Sequence, residues 1–249
     1  MITIKTAEEI EIIAEGSQVL AKIIKELEKE VKPGIATNDL DGLAEALILR
    51  AGGKCSFKGY QGFPNCLCTS INEEVVHGIP SGRILKEGDI IKLDLGVFYK
   101  GYHSDMAMTV PVGEVSFDAK RLIWATKKAL KRGIKKIKPG NTFSDIGNTI
   151  QRYVESQGLN VVRDLCGHGI GRELHEDPQI LNYGKRHTGP EIKEGMVFCL
   201  EPMVTLGGWK IKIAKDGYGY QTADSSLSAH FEHTIAITKN GVRVLTEYA

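Results

Sequence analysis

The sequence predicts an α+β fold made of two related halves, with an antiparallel sheet at the centre and helices outside. Three observations carry this. A segment recurs: VKPGIATNDLDGLAEALILRAG at 31–52 returns as IKPGNTFSDIGNTIQRYVESQG at 137–158, matching Lys-Pro-Gly, an aspartate (Asp39, Asp145), the aliphatic after it (Leu40, Ile146) and the closing glycine. The match continues downstream, where Glu87-Gly88 through Leu93-Asp94 parallels Glu194-Gly195 through Leu200-Glu201. Each half also runs helix, turn, helix and then strands, with two acids on two strands. A pseudo-two-fold axis accounts for such a repeat.

The elements follow in order. Thr6 with Glu9 forms a capping box. Ile10, Ile13, Ala14, Leu20, Ala21, Ile24 and Leu27 then recur at helical spacing, and Pro33-Gly34 stops that helix. Leu43, Ala46 and Leu47 carry the pattern into the next one. Helices over 122–137 and 146–154 repeat the scheme. Strands are predicted at 90–97, 106–112, 196–204 and 233–238, which are aliphatic, β-branched and bounded by glycines. No Pro-, Ser- or Gly-rich linker parts the halves, so a single domain over 1–249 is expected, with halves at about 1–113 and 114–249.

A chain of 249 residues with 42% hydrophobic and 25% charged residues is a globular protein, not a disordered or fibrous one. Lys+Arg 32 against Asp+Glu 31 leaves a net charge of +1, so global charge selects neither a nucleic acid nor an acidic partner. Cys55, Cys66, Cys68, Cys166 and Cys199 form no CxxC pair, which excludes a zinc ribbon; reduced thiols are expected. No leader or membrane span is evident, and a cytoplasmic location follows by default.

The chemistry lies in the strand acids. Asp94 in IKLDLGV, Glu201 in FCLEPMV, Glu232 before the apolar HTIAI and Asp105 before MAMTV are costly in apolar surroundings unless partnered. Any one of them could be a solvent-facing strand-end acid. Four at equivalent places in two repeats favour metal. His168, between glycines in CGHGIG, has the backbone access a tight site needs; His175 and His77 are further candidates, while His233 abuts Glu232 and points to the opposite face. Four carboxylates and an imidazole exceed the needs of one tetrahedral zinc and suit two ions with bridging carboxylates, hence hydrolysis. HExxH, GxSxG and Walker A strings are absent.

The ordered set Asp94, Asp105, His168, Glu201, Glu232, with the strings INEEVVHGIP, GHGIG, HEDP, LEPM and FEHT, resembles the methionine aminopeptidases over nearly the whole chain. The short interval between His168 and Glu201 and the lack of an N-terminal zinc-finger segment match the bacterial type I form. The resemblance implies the creatinase-like "pita-bread" fold. It implies two divalent ions drawn from cobalt, manganese, iron, zinc or nickel, with Asp94 chelating one, His168 and Glu201 completing the other, and Asp105 and Glu232 bridging. A metal-bridged hydroxide would attack the carbonyl after an N-terminal methionine, with a small second residue preferred. Glu201 would carry the proton, His175 would bond the carbonyl oxygen, and His77 would contact the peptide nitrogen. Tyr60, Phe63, Cys68, His77, Leu174, His175 and Tyr218 would bind substrate. Phe57 replaces a common cysteine, and Leu174 and Tyr218 replace larger aromatics, which alters pocket width. A monovalent cation is implied near Asn72 and Ser228, and a monomer acting on peptide or nascent-chain N-termini.

Lys127, Lys128, Lys131, Arg132, Lys135, Lys136 and Lys138 form a basic run without an acid. It reads either as a solvated helix face or as a contact for ribosomal RNA. Two rivals remain: a metal-free RNA-binding scaffold, disfavoured by the complete ligand set, and a proline-specific peptidase, disfavoured by the missing N-terminal domain and by the HGIP and GHGIG flanks.

Overall fold

In the computed structural model, which describes residues 1–247, the capping box closes as the sequence requires. Glu9 Oε2 accepts the Thr6 N–H at 2.7 Å and Thr6 Oγ1 accepts the Glu9 N–H at 3.2 Å. Helix α1 (Ala7–Glu30) follows, and the whole predicted stripe from Ile10 to Leu27 is buried. Positions 248 and 249 of the expected domain lie outside the described residues.

Helix α2 (Thr37–Arg50) departs from the expected register. It buries Leu40, Ala44 and Ile48, leaving Leu43 and Leu47 half-buried and Ala46 exposed. Two apolar stripes run side by side on this helix, and the Leu40 stripe is the one that joins the core shared with α1.

β1 (Lys54–Cys55), a 3₁₀ turn at Tyr60–Gly62, β2 (Leu67–Ile71), β3 (Glu74–Val76), β4 (Ile90–Tyr99) and β5 (Tyr102–Pro111) complete the first half. β4 and β5 are a long antiparallel hairpin, and β1 and β2 lie end to end along the other edge of β4. That arrangement brings Cys55 and Cys66 together, with Cα atoms 5.2 Å apart, in a disulfide. This corrects the expectation of five reduced thiols: Cys68, Cys166 and Cys199 are free.

The second half contributes α3 (Phe117–Lys136), α4 (Phe143–Ser156), β6 (Asn160–Val161), β7 (Gly167–Gly169), β8 (Glu176–Ile180), β9 (Val197–Leu200), β10 (Met203–Thr205), β11 (Ile211–Ile213), β12 (Tyr220–Thr222), β13 (Ser228–His230), β14 (His233–Thr238) and β15 (Gly241–Val244). The predicted strand at 196–204 is therefore two, β9 and β10, parted at Glu201-Pro202, where proline lacks a ladder donor.

Among the described residues all strand pairings are antiparallel, spread over four sheets. Helix α1 packs on β4 and β5, and α3 on β5, β10 and β13. Main-chain and side-chain hydrogen bonds stitch the halves together. The Glu232 N–H donates to Ala107 O at 2.9 Å. Thr109 Oγ1 accepts the His230 N–H at 2.9 Å and donates to His230 O at 2.8 Å. No helix among the described residues is long and apolar enough to cross a membrane.

Candidate metal centre

The β4–β5 hairpin places its two acids by register alone. Asp94 stands opposite Ala107 and Asp105 opposite Gly96, so the two are diagonal neighbours on one face. The second half works differently from the strand placement expected of it. Glu201 follows the end of β9 and Glu232 lies in the break between β13 and β14. All four carboxylates are nevertheless buried, with exposures from 2% at Glu232 to 9% at Glu201.

Side-chain oxygens of Asp94, Asp105 and Glu232 come within 4.8 Å of one another, and Glu232 falls in a second such group with His168 and Cys199. His168 Nε2 is 3.6 Å from Glu201 Oε1. Burial is the main force on these acids. It raises Asp94 to about 6. It drives Asp105, Glu201 and Glu232 well above the usual carboxylate range, with the neighbouring carboxylates adding to it. Asp94 Oδ1 and Glu232 Oε1 have no hydrogen-bond partner among the described residues. Buried oxygens left this way are costly, and a divalent cation satisfies them directly. The donor set of hard carboxylates with one imidazole suits two such ions.

The glycines around His168 are there for close approach. A Cβ on Gly167 would lie 2.3 Å from Cys199 O, and one on Gly169 2.1 Å from Asp177 O. Without side chains at these positions, β7 slips between β8 and β9 and delivers the imidazole. His168 Nδ1 donates to Gly169 O at 2.9 Å, which leaves the Nε2 lone pair facing Glu201. Burial pushes its pKa down to about 3, so the ring is neutral, the state a ligand needs.

His175 is exposed to the cleft; its Nδ1 lies 2.9 Å from Tyr60 Oη and its ring 4.3 Å from that of His168. Its loop is pinned by the buried pair of Lys5 with Glu176, whose Oε1 also accepts the Arg172 N–H at 2.8 Å. His77 adopts φ 59°, the left-handed region that a non-glycine residue enters only when held there. Its ring meets Tyr220 edge-on at 5.8 Å. Partial desolvation of the ring, then His175 and His230, lower its pKa. His233 turns away to Thr246 Oγ1 at 2.9 Å.

A cleft of about 730 Å³ opens above the acids. Tyr60, Phe63, Cys68, His77, Leu174, His175 and Tyr218 line it together with all five candidate ligands. Phe63 and Tyr218 meet edge-to-face at 5.8 Å, and Tyr218 Oη is anchored on Gly62 O at 3.0 Å. Phe57 lines the same cleft.

Three participants escaped the sequence reading. His230 is 1% exposed, neither ring nitrogen has a hydrogen-bond partner among the described residues, and Nε2 is 3.5 Å from Glu201 Oε2. Cys199 is buried beside Glu232, and burial keeps its thiol protonated. Lys92 is fully buried, and its Nζ donates to Asn72 O at 2.8 Å and Ser228 O at 2.9 Å. Asn72 and Ser228 are the residues near which a monovalent cation was expected, and the Lys92 ammonium bonds their carbonyls. Burial lowers Lys92 to about 7, opposed by Glu74 and Glu73. The sequence signal was available: a lysine inside the apolar run IIKLDLGV.

Comparison with known proteins agrees with this geometry. The model of metallopeptidase family M24 matches residues 11–239. Methionine aminopeptidase 1 of Bacillus subtilis is 48% identical, covering 99% of both chains. The crystal structure of methionine aminopeptidase from Thermotoga maritima superimposes with a TM-score of 0.97 at 45% identity, covering 99% of this chain and 100% of that one. Prolidase from Pyrococcus furiosus shares the fold at a TM-score of 0.77 and 27% identity, but this chain covers only 66% of it. A buried cluster of four carboxylates and a neutral histidine, in a chain alike from end to end to these enzymes, leads to one conclusion: the chain belongs to metallopeptidase family M24, among its methionine aminopeptidases.

Proposed function

We propose that Asp94, Asp105, His168, Glu201 and Glu232 hold two divalent ions at the floor of the cleft, and that this single catalytic domain of two half-repeats removes N-terminal methionine there. The observation that carries the ligand assignment is the pair of orphaned oxygens, Asp94 Oδ1 and Glu232 Oε1, inside a cluster of mutually repelling carboxylates. Glu232 belongs to both ligand groups and so suits a bridging role, with Asp105 beside it. When bound, the ions activate a water and polarise the scissile carbonyl.

The chain's own groups do the rest. Glu201, its carboxylate between His168 and His230, takes a proton from the attacking water and passes it to the leaving amine. His175, held by Tyr60 Oη, turns its other ring nitrogen to the oxygen that gains charge. His77 at the cleft wall contacts the substrate's peptide nitrogen. Tyr60, Phe63, Cys68, Leu174 and Tyr218 receive the methionine side chain, where a thioether packs well on aromatic edges. A small second residue is the preferred one at the next position of the substrate. One chain suffices to line the whole cleft, so the site asks for no second copy, and a monomer is the simplest working form.

The substrate supports a place in the cytoplasm, beside newly made chains. Lys127, Lys128, Lys131, Arg132 and Lys135 are exposed along α3, with Lys138 just beyond it, and Trp124 lies exposed under Lys128. This face supports contact with ribosomal RNA, a binding that weakens steeply with salt. The activity is tested by methionine release from Met-Ala-Ser with chelator-stripped protein titrated with manganese(II). Release that is absent without the ion and rises on its addition supports the reading. Cleavage of Xaa-Pro dipeptides in its place contradicts it.

A further inference from the structure

Lys92 lies on β4 two positions before Asp94 and therefore on the same face of the hairpin. Its backbone neighbours are Ser70 on β2 and Thr109 on β5. A fully buried lysine is rare without a carboxylate partner, yet none pairs with Lys92 among the described residues. Its acceptors are main-chain carbonyls from opposite halves of the molecule, Asn72 O and Ser228 O. The Ser228 hydroxyl lies within hydrogen-bond reach of Asn72 O at 3.1 Å and Glu74 O at 3.0 Å. Convergent carbonyl oxygens are the chemistry of a cradle for a weakly hydrated cation.

This cradle is built rigidly. Asn72 has φ 54°, and its side chain is fixed at both ends: Oδ1 accepts the Ile90 N–H at 3.0 Å and Nδ2 donates to Asp89 at 2.8 Å. Its carbonyl is thereby aimed inward, where it also accepts the Ser228 N–H at 3.0 Å. The span from Ser228 leads through His230 to Glu232, so the clamp sits directly behind the carboxylate that joins both ligand groups.

We propose that the Lys92 ammonium is a built-in substitute for a monovalent cation. It bridges the Asn72 and Ser228 carbonyls and joins the two halves behind the carboxylate cluster, so that this protein needs no potassium or sodium ion there. The inference rests on the carbonyl geometry and is independent of the peptidase reading.

The test uses thermal unfolding of chelator-stripped protein in tetramethylammonium, sodium or potassium chloride at one ionic strength. The unaltered protein unfolds at the same Tm in all three salts. Lys92→Ala leaves both carbonyls and an emptied stem volume; its Tm falls by about 6–12 °C in tetramethylammonium and recovers by roughly half or more in potassium or sodium. Lys92→Met fills the stem without charge; it falls comparably and ignores the salt. A specific gain of the unaltered protein in potassium or sodium overturns the proposal. So does a Lys92→Ala protein that stays low in every salt. If neither variant folds, the unaltered protein decides alone, since a specific alkali-ion response refutes the substitution and indifference supports it. None of these readouts uses a divalent ion or turnover, so their failure leaves the peptidase reading standing.

Discussion

The two halves supply the same inventory by different means. In the first, Asp94 and Asp105 stand on an unbroken hairpin, and the ladder alone sets their separation. In the second, Glu201 and Glu232 stand at breaks, beside Pro202 and between β13 and β14, and longer side chains carry their carboxylates inward. The repeat thus preserved the order of the acids and not their backbone. Regular backbone suits groups that only need to be held. Broken backbone places Glu201 between two imidazoles, where a proton can be moved.

The largest effect is expected where both halves meet. Glu232→Gln removes the carboxylate shared by the two ligand groups, and methionine release should fall by about 10³-fold or more, with Asp105→Asn close behind. Equal and mild losses for the two, measured as kcat/KM at saturating manganese, would break the assignment. Next, His175→Ala should cost about 10²–10³-fold in kcat with a smaller change in KM, as expected for a group that meets charge developing on the substrate oxygen. A loss confined to KM would move His175 from the reacting oxygen to ground-state binding.

His230→Leu sharpens the comparison, because this ring sits only in the broken half. It should weaken metal affinity by about 10–100-fold by freeing Glu201 Oε2, read by competition with a chelating dye. Thr109→Val removes the hydroxyl that ties His230 to the hairpin and should shift affinity the same way by less.

The smallest effect is a slope with pH. Asp105, Glu201 and Glu232 keep protons in the folded apoprotein at pH values where the unfolded chain has lost them. The native state then binds more protons, and stability falls as pH rises. Between about pH 4 and 6.5 the buried histidines oppose this, since His168 at about 3, His230 at about 4 and His233 at about 4 are neutral where the unfolded chain still protonates them. Above 6.5 the histidines add nothing further, and from about pH 7 Lys92 opposes the slope in turn, since it is neutral in the fold where the unfolded chain keeps its proton. With three carboxylates set against one lysine, the apoprotein Tm should still decline as pH rises above about 6.5, and saturating manganese should abolish the decline. A flat apoprotein profile would mean that the carboxylates are not poised as described.

Much of this was legible in the residues. The α1 stripe from Ile10 to Leu27 is buried throughout because one dominant apolar period leaves no competing register. In α2 two apolar stripes coexist, and only packing against α1 chooses Leu40 over Leu43. The acids announced themselves by their apolar flanks, but the breaks at Glu201 and Glu232 depend on strand pairing, which a single sequence does not display. The Cys55–Cys66 pairing follows from β1 and β2 sharing an edge of β4. Lys92 carried the same signal as the acids, a charge inside an apolar strand, and its partners were main-chain carbonyls that no residue pattern encodes. His230 matters through a contact with Glu201 that the pairing of β10 with β13 creates, and nothing in its flanks marks it.

The most direct test of the central claim is equilibrium dialysis of chelator-stripped protein against manganese(II), with Glu232→Gln alongside and folding checked by circular dichroism. Two ions per chain in the parent and a clear loss in Glu232→Gln are predicted. A folded parent that binds no manganese, or a Glu232→Gln protein that binds as the parent does, would contradict a shared carboxylate centre built by the two halves.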